Sequence, residues 1–206
     1  MKRGLKPIVY LVCCMAALLM IGCAAGGTKI TIKHDTYKPG FRSSEIGRKG
    51  KTVIMSNFIN QAANTTSWAY HSADKKVTYE ATERLESYLW YCFQRAFQHA
   101  GLKVQEQSYG YHPYWWGPGQ APAPARTQAG RGITEFQLVL KSMTDQECNF
   151  QILLFKNGET KFQKDYTVKM PPASTENVTE LENRAYRMVD QMVTTVFRDS
   201  EFQKAF

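Results

Sequence analysis

The sequence lacks the short motifs that usually identify an enzyme. Its four histidines, His34, His71, His99 and His112, lie in four different predicted elements, and no two of them have the spacing of a zinc site. There is no G-x-S-x-G nucleophile elbow, and the glycine-rich stretch at 117–119 lacks the lysine and following helix of a phosphate-binding loop. We therefore expect no catalytic residues, no metal site and no cofactor, and we expect a protein that is not an enzyme.

A dense cluster of charge of one sign is also missing. Lysine and arginine number 26 against 18 aspartates and glutamates, a net charge of +8, but the short basic stretches at 42–51 and 75–76 border turns. This distribution is not that of a nucleic-acid-binding surface, so we expect no nucleic-acid partner. It indicates either a solvated surface or a weak attraction to anionic lipid headgroups. With 43% hydrophobic and 13% aromatic residues, the composition is that of a globular protein.

Hydrophobic runs are short everywhere except at the start of the chain. Lys2, Arg3 and Lys6 precede a run of 14 apolar residues, Ile8–Ile21, which ends at a stretch of small residues beginning with Gly22. A helix that spans a membrane needs about 20 apolar residues, so this run is short for a permanent span. Basic residues, a short apolar run and a small-residue exit are typical of a secretory signal peptide.

The end of this segment, Met20–Cys23, resembles the lipobox of bacterial lipoproteins. The resemblance implies that residues 1–22 are removed as a lipoprotein signal peptide and that Cys23 becomes the lipid-carrying first residue. Each buried methylene of an acyl chain contributes about 0.8 kcal/mol to membrane binding, so several chains make the attachment effectively permanent. Ala24 stands where an aspartate would retain a Gram-negative lipoprotein at the inner membrane, which favours the outer membrane and a periplasmic domain. An ordinary cleaved signal peptide and an uncleaved N-terminal anchor are the alternatives.

Cysteine is scarce in the rest of the chain. After the N-terminal segment, the sequence contains only Cys92 and Cys148. An oxidising periplasm would permit a disulfide between them. Cys92 lies on the apolar stripe of a predicted helix and Cys148 on the apolar face of a predicted strand. A disulfide needs Cα atoms within about 7 Å, which is closer than a helix usually packs on a sheet. A disulfide and two buried, unreactive thiols both stay open, and neither makes the pair catalytic.

The pattern of apolar residues divides the rest of the chain into two parts. Residues 23–50, rich in Gly, Ser, Lys and Arg, are predicted to form a flexible tether, although the alternation in Lys29–Lys33 also fits an edge strand. Residues 51–206 are predicted to form a periplasmic domain. Its predicted strands are Lys51–Phe58, Leu102–Tyr109, Ile133–Ser142, Glu147–Lys156 and Thr160–Met170.

Two stretches of helical periodicity complete the predicted domain. One covers Lys75–Ala100 and stops at Gly101, and the other covers Ser174–Phe202, after a pair of prolines. The order β-α-β-β-β-β-α predicts a single α+β domain, with a mainly antiparallel sheet of about five strands and two long helices on one face. Polar residues at alternate positions of each strand indicate that the other face of the sheet meets solvent.

The predicted connection at 110–132 is rich in aromatic residues, proline and glycine. It is far longer than the usual four to six residues, and loops of this length are often functional or disordered. Tyr111, Tyr114, Trp115 and Trp116 could enter a membrane interface, stack on sugar rings or contact a protein partner. The alternative is a variable insertion whose aromatic residues fold back over the sheet.

Three stretches of the domain, together with the lipobox, carry a family pattern. They are Val53–Phe58, the run from Leu85 to Val104 and the closing run from Met188 to Phe202. Over about residues 20–204, the chain resembles the small Gram-negative envelope lipoproteins typified by YajG and the auxiliary lipoproteins of ABC-type transporters. The penicillin-binding-protein activator lipoproteins share a similar layout. The resemblance implies a non-enzymatic accessory component of a lipid-transport or cell-wall machine, anchored in the outer membrane and bound to an envelope protein.

Two other functions remain open at this point. One is a lipid- or glycan-binding module that uses Trp115 and Trp116 of the aromatic loop. The other, more remote, is an envelope hydrolase, for which the sequence offers no assembled set of catalytic groups.

Overall fold

The computed structural model describes residues 27–46, 50–106 and 133–206. Its strands and helices share one hydrophobic core. The strands are β1 (Thr28–Ile32), β2 (Thr52–Asn60), β3 (Ala69–His71), β4 (Val77–Ala81), β5 (Lys103–Glu106), β6 (Thr134–Met143), β7 (Glu147–Lys156) and β8 (Glu159–Lys169). The α-helices among the described residues are α1 (Leu85–His99), α2 (Val178–Arg198) and α3 (Ser200–Ala205).

The larger sheet has five strands in the order β5-β2-β6-β7-β8. Strands β6, β7 and β8 form an antiparallel meander, and Asn157 and Gly158, both at positive φ, form the tight turn between β7 and β8. Strand β2 runs parallel to both β5 and β6, because a helical crossover rather than a hairpin separates it from β5. The predicted α+β class and the five-stranded sheet are confirmed, and the sheet is mixed.

A second, three-stranded sheet has the order β1-β4-β3, with β1 parallel to β4. It corrects the predicted helix over Lys75–Ala100, since residues 77–81 are a strand and α1 begins at Leu85. The β-branched and aromatic residues Val77, Thr78 and Tyr79 suit a strand that is paired on both sides. The end of the helix is as predicted, with Gly101 at a φ of 83° immediately after it.

The predicted flexible tether over residues 23–50 is also wrong where the structure describes it. Strand β1 pairs with β4 over its whole length, and the side chains of Ile30 and Ile32 are fully buried. Tyr37, Phe41 and Ile46 are buried as well. Their burial removes apolar surface from water, so this stretch belongs to the folded domain.

The helices cover one face of the five-stranded sheet, as predicted. Phe97 of α1 is fully buried in the core, although it lies off the main apolar stripe of the helix. Its ring centroid lies 5.0 Å from that of Phe136 on β6 and 5.2 Å from that of Phe197 on α2. Helix α1 is therefore buried around more of its circumference than one stripe, because α2 packs beside it as the sheet packs beneath it.

The second predicted helix, Ser174–Phe202, is shorter and divided. The Asn177 side chain accepts a 3.1 Å hydrogen bond from the Glu180 backbone N–H, so α2 starts at Val178 and residues 171–177 form an exposed segment. Asp199 ends α2 in an extended conformation and caps α3 through its own carboxylate. The short helix α3 then places Phe202 in the core.

The face of the sheet opposite the helices is buried at its centre, although the sequence predicts that this face meets solvent. Glu135, Gln137 and Val139 of β6 are 5%, 6% and 7% exposed, although they point away from the helices. The register places Glu135 in a row between Ile54 of β2 and Phe155 of β7. Strand β6 is the middle strand, so side chains from the strands on both sides shield its outward-facing residues from solvent. Strand β8 is at the edge of the sheet, and its outward-facing residues are exposed.

Candidate functional site

Helix α2 carries a stripe of polar side chains beside the apolar stripe that faces the core. The polar residues recur at intervals of three or four, which places them along one side of the helix. They are Glu180, Arg184, Arg187, Gln191, Thr194 and Arg198, and all line a surface groove.

Arg184 and Thr194 are the buried members of this stripe, and Arg184 is 6% exposed. Its Nε lies 3.4 Å from Oδ2 of Asp145, which is equally buried in the turn between β6 and β7. Arg184 Nη2 donates a hydrogen bond to the Pro171 carbonyl, and Asp145 Oδ1 accepts a 3.0 Å hydrogen bond from the Ala73 backbone N–H. The Arg184–Asp145 pair therefore connects α2 to three parts of the chain: the turn between β6 and β7, the segment after β8, and the turn between β3 and β4.

Two stacked tyrosines lie behind this ion pair. The rings of Tyr70 and Tyr79 are parallel within 6°, with centroids 4.8 Å apart. Burial, and then the neighbouring Tyr79 and the Asp145 carboxylate, raise the pKa of Tyr70 well above its usual value. Burial raises the pKa of Tyr79 to about 12, and Asp145 contributes in the same direction. Both phenols are neutral near neutral pH, so neither is suited to act as a base.

The groove beside Arg184 has a volume of about 640 Å³. Helix α2 forms one wall, the exposed segment 169–175 forms the second, and Gly40 with Phe41 closes one end. Four basic side chains and two carboxylates line it, and two of the basic side chains, Arg184 and Lys169, pair with Asp145 and Glu147 outside the lining. We call this feature the α2 groove. Its size is that of a ligand site, and its charged lining suits a polar occupant.

Asp190 at the closed end of the α2 groove is held by the segment after β1. Its Oδ1 accepts a 2.6 Å hydrogen bond from the Tyr37 hydroxyl, and its Oδ2 accepts a 3.0 Å bond from the Gly40 backbone N–H. A Cβ on Gly40 would lie 2.8 Å from Oδ2, so the close approach requires glycine. Burial raises the pKa of Asp190 above 3.8, against the opposite effect of these hydrogen bonds.

Arg187 differs from Arg184 because it is exposed to solvent. It makes no hydrogen bond or ion pair with any residue that the structure describes. It lies three positions after Arg184, which places the two side chains about one turn apart on the same side of α2. The α2 groove thus presents one anchored and one uncommitted guanidinium close together.

Of the residues that the sequence singled out, the structure describes only Cys92 and Cys148, and neither lines this groove. Cys23 and the aromatic residues Tyr111, Tyr114, Trp115 and Trp116 lie outside the described residues. Arg184, Arg187 and Asp145 did not stand out in the sequence. The recurrence of polar residues along α2 is the one feature of the sequence that could have indicated Arg184 and Arg187. The pairing of Arg184 with Asp145 is long-range and leaves no local pattern in the sequence.

Cys92 and Cys148 are free, buried thiols in the structure, so the disulfide left open by the sequence is not formed. Cys148 Sγ lies 3.8 Å from Sδ of Met192 on α2, within the core. Burial raises the pKa of Cys148 to about 12 and raises that of Cys92 further. Thiols of this kind are poor nucleophiles near neutral pH.

No group of three or more His, Cys, Asp or Glu side chains in residues 27–46, 50–106 and 133–206 has an arrangement that could hold a metal ion. Within the same ranges, no helix combines the length and the hydropathy needed to cross a membrane.

Comparisons with known proteins give little beyond these observations. No protein-family model matches the chain, and no curated protein matches it. Among solved structures, the chain is similar to the crystal structure of protein XCC0632 from Xanthomonas campestris, described as a DUF330 family-model protein. The sequence identity is 8% and the TM-score is 0.47, over 82% of this chain and 91% of that chain. A likeness of this degree supports no argument about family or function.

Proposed function

We propose that this protein is a lipid-anchored component of a Gram-negative cell envelope that acts by binding. The domain binds another envelope component through the α2 groove, as an accessory to a lipid-transport or cell-wall machine. The observation that carries the proposal is the pairing of an uncommitted Arg187 with a groove whose walls are fixed by the buried Arg184–Asp145 pair.

A rigid scaffold around an accessible charge is what a binding site requires. The Arg184 hydrogen bond to Pro171 holds the second wall against α2, so that wall needs little reorganisation when a partner arrives. The hydrogen bonds of Asp190 hold the closed end in the same way. Arg187 and Gln191 then supply exposed polar groups between fixed walls.

The anchoring half of the proposal is supported by the sequence at Met20–Cys23, which resembles a lipobox. A tethered domain meets its membrane-bound partners at a high effective concentration, so even a modest contact in the α2 groove would be occupied. The aromatic residues Trp115 and Trp116 remain candidates for lipid or glycan contact on the strength of the sequence alone.

Site-specific photo-cross-linking in living Gram-negative cells tests the binding role. A photoreactive amino acid replaces Gln191 in the α2 groove, and a matched variant carries it at Gln163 on the outer side of β8. Both glutamines are exposed, and only the first lines the groove. We expect a discrete adduct with an envelope protein from position 191 and none from position 163.

Two results would contradict the proposal. One is the absence of any adduct at position 191 in cells that express the protein in the membrane fraction. The other is the same adduct, in the same yield, from positions 191 and 163, because contact would then not depend on the α2 groove.

A further inference from the structure

We infer that the α2 groove binds a phosphoryl group at Arg184 and Arg187, beside the surface that contacts the envelope protein. The inference rests on the proposed binding role and names the chemistry that this groove recognises. Arginine presents its donors in a planar fork that matches phosphate oxygens, and it is less strongly hydrated than lysine. Two arginines about one helical turn apart can therefore share one phosphoryl group.

The state of Arg184 gives the first argument. Its Nε is buried and has no hydrogen-bond acceptor among the described residues, although it lies 3.4 Å from Asp145 Oδ2. A buried guanidinium that is short of hydrogen-bond acceptors is costly, and a further acceptor would reduce that cost. Arg184 lines the α2 groove, so an oxygen bound there can accept a hydrogen bond from the part of the guanidinium that meets the groove.

The distribution of charge gives the second argument. Arg187, Lys169 and Arg198 line the groove in addition to Arg184, and their charges attract an anion from solution. The carboxylates are placed to either side: Glu180 lies one turn before Arg184, and Asp190 lies one turn after Arg187 and already accepts two hydrogen bonds. Asp145 lies 3.4 Å from Arg184 and Glu147 lies 3.5 Å from Lys169, so the strongest positive potential is expected at Arg187.

The facing wall supplies neutral donors. Ser174 and Thr175 are exposed on the segment opposite α2, and both line the groove. Hydroxyl groups commonly accompany arginine in phosphate sites because they donate without adding charge. A phosphoryl group could belong either to a lipid headgroup or to free phosphate, and these two sources differ in charge and size.

Titration of the full chain, purified in an uncharged detergent, tests the inference and separates the sources. The readout is the NMR signal of the arginine Nε–H groups, and the two probes are inorganic phosphate and glycerophosphoglycerol, the headgroup of phosphatidylglycerol without its acyl chains. We expect saturable shifts for Arg184 and Arg187. Tighter binding of glycerophosphoglycerol supports a lipid headgroup, and tighter binding of inorganic phosphate supports the free ion.

Three variants sharpen the test. Arg187→Gln is expected to weaken binding roughly tenfold, and Arg187→Lys to restore part of the loss. Lys204→Gln on α3 makes the same change in net charge away from the groove and is expected to leave the affinity unchanged. Arg187 and Lys204 are both exposed, so none of these variants disturbs the core.

The inference is overturned if neither probe shifts the two arginine signals. It is also overturned if Lys204→Gln weakens binding as much as Arg187→Gln, since the attraction would then be general. The purified chain contains no partner, so a negative titration with an intact cross-link at position 191 refutes the phosphoryl inference alone. Saturable titration without any cross-link in cells would refute the binding role with an envelope protein.

Discussion

The hydroxyl of Tyr37 donates a 2.6 Å hydrogen bond to Oδ1 of Asp190 and so joins the segment after β1 to the middle of α2. Tyr37 is only 1% exposed, and it is 153 positions away from Asp190 in the sequence. The same carboxylate accepts the Gly40 backbone N–H. One buried contact therefore closes the end of the α2 groove and ties the N-terminal part of the domain to its last long helix.

Removing the Tyr37 hydroxyl is expected to destabilise the fold. Tyr37→Phe leaves Asp190 without its shortest hydrogen bond, and loss of a bond to a charged acceptor costs about 1.5–3 kcal/mol. Tyr79→Phe is the matched control, because the buried Tyr79 hydroxyl has no partner among the described residues and its removal should be nearly neutral. Denaturant unfolding measures both, and equal losses would contradict the importance of the Tyr37–Asp190 contact.

The ionisation of Asp190 predicts a pH dependence of stability. Burial raises its folded-state pKa above the 3.8 of an ordinary aspartate, so the folded chain holds this proton more tightly than the unfolded chain. The contribution of Asp190 to stability is therefore greatest below about 3.8 and is lost as the pH rises through the higher folded value. Asp190→Asn should remove this part of the profile, measured as the unfolding free energy across the acidic range. An unchanged profile would show that the folded pKa of Asp190 is not raised.

The Arg184–Asp145 pair is expected to be structurally essential. Arg184→Met leaves the Asp145 charge buried without a partner, which costs about 3–5 kcal/mol. Arg187→Met, three residues further along α2, alters an exposed arginine and should change the unfolding free energy by about 0.5 kcal/mol or less. Similar stability of the two variants would mean that solvent, and not Asp145, compensates the Arg184 charge.

The ring of Phe97 is expected to be among the most costly core groups to remove. Phe97→Ala takes away contacts with Phe136 and Phe197 at the junction of the sheet and both long helices, at a cost of about 3–5 kcal/mol. Trp68, which is 45% exposed, provides a control, since Trp68→Ala should cost far less. A loss below about 1 kcal/mol for Phe97→Ala would contradict its central position.

The two buried cysteines are expected to be protected but not bonded. A thiol reagent at mildly alkaline pH should label neither Cys92 nor Cys148 in the folded chain, because burial raises both pKa values and blocks access. Both should react after denaturation without a reductant. A denatured chain that reacts only after reduction would instead show a disulfide between them.

The elements that follow from local chemistry were predictable from the sequence. Asn157-Gly158 defines the turn between β7 and β8, and Gly101 ends α1, because both positions need a backbone that glycine or asparagine adopts readily. The apolar alternation of β6 and β7 correctly identified the side that faces the helices.

The elements that depend on distant partners were not predictable in this way. Strand β4 has the charge and spacing of a helix start, and only its pairing with β1 and β3 makes it a strand. The N-terminal segment looks like a tether until the burial of Tyr37 against Asp190 is seen. The candidate site has the same origin, since Asp145 and Arg184 are 39 positions apart by their numbering and no local pattern connects them.

Membrane attachment at Cys23 is the claim on which the binding role depends most. Mass spectrometry of the N-terminal peptide, from protein purified out of Gram-negative membranes, tests it directly. We predict a peptide that begins at Cys23 and carries acyl chains on that residue. A peptide that begins at Met1, or at an unmodified residue after the apolar run, would contradict lipid anchoring.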